Sequence, residues 1–181
     1  MIISGDIGFA GKRKSTFYSR AVKWFTKSRW SHNFVVMPKF IGELCVLEAE
    51  VNVVLRLFEK EYVEKNNDYY EVWRPKKATP KEIVDAARES FKTDAGEIYG
   101  FMQIPWFAAR SLLSRVGINL SKNWFPSGEI CSETLWGYLY NLGGEYRLEA
   151  EKLGENECSP QDLYDLVKKR EDLFSFVYMR E

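Results

Sequence analysis

Three residue types in this chain could do covalent chemistry together: a histidine, a carboxylate and a cysteine. There is only one histidine, His32, so any imidazole chemistry passes through it and a multi-histidine metal site is excluded. His32 opens the run SHNFVVM, and ELCVLEAE follows a short turn-like stretch, Pro38–Gly42. If the two runs form a hairpin with antiparallel partner numbers summing to 80, His32 faces Glu48, Phe34 faces Val46 and Val36 faces Leu44. Opposed residues have Cβ atoms about 4.5–5.5 Å apart, so the imidazole and the carboxylate share one face, with Glu50 as the fallback partner. A carboxylate beside an imidazole orients it and makes it more basic, which is what a general base requires. The same spacing also fits a partly buried structural histidine beside solvated glutamates.

Cys131 begins the run CSETLWGYLYNLGG, which reads as a helix ended by Gly143-Gly144. The free N–H groups and positive potential of a helix N-terminus stabilise a thiolate and can hold an oxyanion. Cys131, Leu135, Tyr138 and Leu142 also share one helical stripe, so this spacing equally fits a cysteine packed in the core. Cys45 lies mid-strand on the face opposite His32, and Cys158 sits in a polar loop; neither has comparable electrostatics. The three cysteines are too few and too scattered for a disulfide framework or a zinc knuckle. There is no glycine-rich phosphate loop, no GxSxG elbow and no HExxH. No cofactor is expected.

The elements that must position these residues follow from periodicity and punctuation. Asp6–Phe9 reads as a short strand, and residues 15–28 as a helix with Phe17, Ala21, Trp24 and Phe25 at helical spacing. SHNFVVM, ELCVLEAE with VNVVLRLF, and YYEVWRP read as strands. Thr79-Pro80-Lys81-Glu82 supplies a cap, a first-turn proline and a capping glutamate for a helix. A mostly apolar helix is expected over residues 99–115, then the Cys131 helix, then a short one opened by Ser159-Pro160-Gln161-Asp162. LFSFVYM (173–179) returns as a strand. The fold class is α+β, a mainly antiparallel sheet packed against helices, in one domain spanning residues 1–181.

Composition bounds the function. The 181 residues are 45% hydrophobic and carry 26 basic and 26 acidic side chains, which removes a global argument for nucleic acid. The balance is uneven, however. Residues 1–42 hold eight basic residues against one acid, Asp6, a net of +7 that leaves −7 for the remaining 139. Such a lobe suits an anionic substrate or partner, and equally a solvated helix face with acidic neighbours in space. The longest uncharged run, residues 98–109, is 12 residues long, short of the roughly 18 apolar residues of a membrane span. With no signal-like amino terminus, a cytoplasmic address is expected.

Short blocks then fall in a telling order: GDIGF (5–9), SHNFVV (31–36), VLEAE (46–50), Tyr99-Gly100, ICSETLW (130–136) and SPQDL (159–163). In this the chain resembles the circularly permuted NlpC-type, papain-like cysteine hydrolases, above all the YiiX-like group, from Gly5 to about Leu163. The resemblance implies a permuted papain-like fold with Cys131 as nucleophile, His32 as general base and Glu48 as the orienting acid. Tyr99, Ser132 and Glu50 are candidate substrate contacts, and Tyr99 before its apolar helix fits core packing as well as a cleft wall. Asn33 stands where the family commonly has a small or aliphatic residue. The expected activity is hydrolysis of an amide, peptide or isopeptide-like, through an acyl-enzyme. A lipid thioesterase or acyltransferase of the same fold, in peripheral contact with a membrane, and a non-catalytic module that keeps the cleft are the alternatives.

Overall fold

A computed structural model describes residues 1–12, 28–40, 42–49, 53–64, 68–94, 131–155 and 158–181. Six strands form one sheet: β1 (Ile7–Lys12), β2 (His32–Phe40), β3 (Glu43–Ala49), β4 (Val53–Leu57), β5 (Asp68–Pro75) and β6 (Phe174–Arg180). Their order is β4-β3-β2-β1-β5-β6, with every neighbouring pair antiparallel. Four helices are described: α1 (Pro80–Asp94), α2 (Cys131–Leu142), α3 (Gly144–Leu153) and α4 (Pro160–Lys169). The α+β layout matches the sequence reading. The expected helices over 15–28 and 99–115 lie outside the described residues, apart from Ser28.

Strand alternation sorts side chains onto two faces. Ile7, Phe9, Val35, Met37, Cys45, Leu47, Ala49 and Trp73 point to the helices, where Leu135, Tyr138, Leu139 and Leu142 of α2 and Ala86 and Ala87 of α1 complete a buried core. The α2 stripe therefore packs as its spacing predicts. The opposite face holds Ala10, Phe34, Val36, Val46, Tyr70 and Val72 beneath Phe58 and Tyr62. Those last two belong to or adjoin a single π-helical turn, Glu59–Glu64, which sequence periodicity does not foreshadow. Gly8 pairs with Phe34, whose ring lies over it so closely that a Cβ there would meet Phe34 Cζ at 1.9 Å. This glycine is what lets the aromatic lie flat on the sheet.

The hairpin register differs from the expected one. Phe34 pairs with Glu48, Val35 with Leu47, Val36 with Val46 and Met37 with Cys45, a shift of two residues, while Phe40 pairs with Glu43. Both strands run further into the presumed loop. The Phe40–Glu43 pair would by itself set partner numbers summing to 83, which would put Glu48 on the helix face, away from His32. An irregularity between Met37 and Phe40, a stretch that contains Pro38, absorbs one residue and restores an even sum. Proline has no N–H for the ladder and is tolerated in strands at such places. A shift of two keeps every side chain on its face, whereas a shift of one reverses all of them. His32 and Glu48 thus remain on one face as diagonal rather than directly opposed neighbours.

The helix signals behave as read. Thr79 and Glu82 cap α1 reciprocally, with Thr79 N–H donating to Glu82 Oε2 (2.7 Å) and Glu82 N–H to Thr79 Oγ1 (3.3 Å). Ser159 and Asp162 form the same box on α4. Gly143-Gly144 does end α2, but Gly143, at φ 74°, turns the chain straight into α3. The sequence reading did not anticipate that helix.

Candidate active site

The site is built at one end of the sheet. His32 is the first residue of β2, and Glu48 lies one residue before the end of the antiparallel β3, so the diagonal pair occupies a strand terminus. His32 Nε2 and Glu48 Oε2 are 2.9 Å apart, a hydrogen bond between a histidine 8% exposed and a glutamate 1% exposed. The pairing expected from sequence is present, though through a diagonal contact.

Two residues that the sequence reading did not single out complete the carboxylate's shell. Tyr62 donates its hydroxyl to Glu48 Oε2 at 2.5 Å. Arg56 Nε lies 3.1 Å from Glu48 Oε1, an ion pair without the alignment of a full hydrogen bond, and its Nη1 also contacts Glu61 Oε2 at 3.2 Å. Burial alone pushes the Glu48 carboxyl up. The His32 hydrogen bond and charge, the Tyr62 hydroxyl and the Arg56 guanidinium outweigh it, and the group is held below its ordinary value. Arg56 was detectable in principle, since it is the charge that breaks the apolar alternation of VNVVLRLF. Tyr62 was not, because its position depends on the π-helical turn.

The start of α2 lies at this same end of the sheet. Cys158 Sγ approaches Ser132 O at 3.9 Å, and Tyr164 of α4 packs on Phe9 (5.2 Å between rings) and Trp30 (5.1 Å), which flank the beginning of β2. Farther along α2, Tyr138 donates to Gly5 O (3.2 Å), and Gly5 N–H donates to Val36 O (2.7 Å). The helix therefore runs along β2 from the His32 end. Cys131 is its first residue, with its side chain outside the described residues. Because α2 covers the face opposite His32, the two residues can meet only around the strand end.

Ser132, in the first turn of α2, is fully buried and its hydroxyl has no hydrogen-bond partner. Asn33, next to His32 but turned to the helix face, is 1% exposed with neither amide atom partnered. Buried polar groups are rarely left so. Tyr99 and Glu50 lie outside the described residues.

Part of the basic lobe is visible. The Arg29 guanidinium lies 5.0 Å from the Trp30 ring centre and 5.1 Å from that of Tyr69, whose hydroxyl donates to Arg29 O (2.7 Å). Asp6, the only acid of residues 1–42, is buried and tied to Arg74 through Nε (2.7 Å) and Nη2 (2.8 Å), so Arg29 is not paired with the one acid of its own segment. Among the described residues, no three His, Cys, Asp or Glu side chains gather as a metal site, and no helix is long and apolar enough to cross a membrane.

No family model and no curated protein matches the chain. Among solved structures, the chain is similar to metalloprotein yiiX from Escherichia coli O157:H7 (DUF1105), at 20% sequence identity and a TM-score of 0.62, over 98% of this chain and 97% of that one. At that identity the likeness is one of fold: the α+β architecture described above, with its six-stranded antiparallel sheet, is YiiX-like from end to end.

Proposed function

We propose that the chain is a cysteine hydrolase of the permuted papain-like kind, acting on an amide through a Cys131–His32–Glu48 triad. The observation that carries this reading is the buried His32–Glu48 hydrogen bond at the end of the sheet where α2 begins with Cys131. A carboxylate held in place by Tyr62 and Arg56 fixes one ring nitrogen and with it the orientation of the imidazole.

The steps use the chain's own side chains. His32 takes the Cys131 proton, and the thiolate attacks the carbonyl carbon to form a tetrahedral oxyanion. Backbone N–H groups in the first turn of α2 hold that oxyanion. His32 then protonates the leaving amine, the C–N bond breaks, and water attacks the thioester with His32 again as base, releasing acid and thiol. The uncommitted polar atoms of Ser132 and Asn33 offer hydrogen bonds that a bound substrate can take up.

The structural neighbour is described as a metalloprotein, and the described residues here do not fit a resident metal. His32 is the only histidine and its Nε2 is bonded to Glu48, while both Glu48 oxygens are engaged by His32, Tyr62 and Arg56.

A matched panel of one acyl group presented as anilide, ester and thioester, with an anionic and a neutral version of each, tests the reading. The expected result is an acyl adduct on Cys131 in intact-mass spectra, followed by turnover that includes the anilide. Because Arg29 is exposed and residues 1–42 carry a net charge of +7, the anionic series should turn over faster at low salt than at high salt. Turnover of thioester and ester only would move the activity to acyl lipids. No adduct with any member would leave a binding module.

A further inference from the structure

The Glu48 carboxylate is engaged from three sides, and only one of them is needed to orient an imidazole. We propose that Tyr62 and Arg56 are positioning residues that share the charge of Glu48 and thereby lower the proton affinity of His32. As a statement about catalysis this rests on the triad reading; as a statement about the imidazole it rests on the geometry.

Both partners are held in place by devices that do not involve the histidine. Tyr62 belongs to the π-helical turn Glu59–Glu64, and such turns are rare and concentrate at functional sites. Its ring is fixed against Phe34 (4.3 Å between centres) and Phe58 (5.6 Å). Its carbonyl and that of Val63 accept from Arg180 Nη1 of β6, at 2.7 and 3.2 Å. The hydroxyl is thus delivered to Glu48 Oε2 by a turn pinned at front and back. Arg56 stands on β4, paired with Val46, and reaches Oε1, while Glu61 of the same turn steadies its other end. Among the described residues, the charged and titratable groups on the elements around the pair include Arg56 from β4, Glu61 and Tyr62 from the turn, Tyr70 from β5 and Arg180 from β6.

The direction of the effect follows from electrostatics. Tyr62 and His32 share one oxygen, so the hydroxyl removes electron density that would otherwise strengthen the imidazolium–carboxylate bond. Arg56 places a positive charge behind the carboxylate, which disfavours a second positive charge on His32 in a low-dielectric setting. A buried carboxylate bound to histidine alone would trap the imidazolium, leaving it a reluctant donor to the leaving group. With its charge divided three ways, Glu48 orients the ring without locking its proton.

The single histidine makes this directly measurable, because one imidazole gives one set of ring C–H resonances in the NMR spectrum of the whole protein. The His32 titration midpoint is expected to rise by about one unit in Arg56→Gln, and by a smaller amount in Tyr62→Phe. Arg56→Lys, which keeps the charge, should restore most of the wild-type midpoint, a rescue that a purely structural role does not produce. Should Tyr62→Phe fail to fold, the two Arg56 variants carry the test, since that side chain is 32% exposed and tolerates exchange. Midpoints unchanged in folded Arg56→Gln, or lowered in either variant, would overturn the inference. The result stands apart from Cys131: shifted midpoints with an inert thiol would retain the charge sharing and remove the catalytic reading. Unshifted midpoints with a reactive thiol would do the reverse.

Discussion

His32→Ala is expected to lower turnover by about 10²–10⁴-fold, the usual contribution of a positioned acid–base group, while the protein keeps its native circular dichroism. No second imidazole exists to substitute for it. The loss should fall on kcat and kcat/KM together, because the proton His32 moves is transferred in the transition state and not on binding. His32→Gln should be no better: an amide can occupy the hydrogen bond to Glu48 Oε2 but cannot accept the thiol proton. Steady-state kinetics on the best substrate of the acyl panel measures both. Retention of more than a tenth of wild-type kcat in either variant would show that the imidazole is structural.

Glu48→Ala is expected to be the most destabilising single change at the site, by about 3–5 kcal/mol, the range for removing one partner of a buried charged pair. It takes the carboxylate away from three groups at once: the His32 ring, the Tyr62 hydroxyl and the Arg56 guanidinium. Arg56 is 32% exposed and can recover water, which places the expected value near the lower end. Glu48→Gln keeps the shape and one acceptor and should cost less, but its neutral amide cannot hold an imidazolium. The pH dependence has a defined sign. The Glu48 carboxyl is held below its ordinary value of 4.5 in the folded protein, so its stabilisation is fully present above that value and is lost as pH falls through the lower folded value. Denaturant midpoints from pH 6 to 3 should fall more steeply for the wild type than for Glu48→Gln. Parallel curves would mean that Glu48 contributes no ionic stabilisation.

Both expectations rest on a pair whose face was legible in sequence and whose register was not. Alternation in SHNFVVM and ELCVLEAE is enough to put His32 with Phe34 and Val36, and Glu48 with Val46, because the period of a strand is two residues. The exact partners depend on where the turn closes and on an irregularity between Met37 and Phe40, and local pattern does not encode either closely enough to count. The α2 stripe of Leu135, Tyr138 and Leu142 was legible for the same reason as the strands: an apolar period matched to the element. By contrast, Gly143-Gly144 correctly ended α2 yet gave no sign that Gly144 would open α3, since a glycine permits a change of direction without encoding the element beyond it. Tyr62 could not be found from spacing, as its hydroxyl reaches Glu48 from a π-helical turn whose period belongs to neither template.

Ionisation of Cys131 by His32 is read most directly from the rate of alkylation. Iodoacetamide at pH 6.5, with each cysteine followed by peptide mass spectrometry, should label Cys131 fast in the wild type and about 10²-fold more slowly in His32→Ala. That factor is the thiolate fraction lost when a paired thiol returns to an ordinary value near 8.5. Cys45 and Cys158, both buried, serve as internal references and should label slowly in either protein. Slow labelling of Cys131 at the same rate in both proteins would contradict the account.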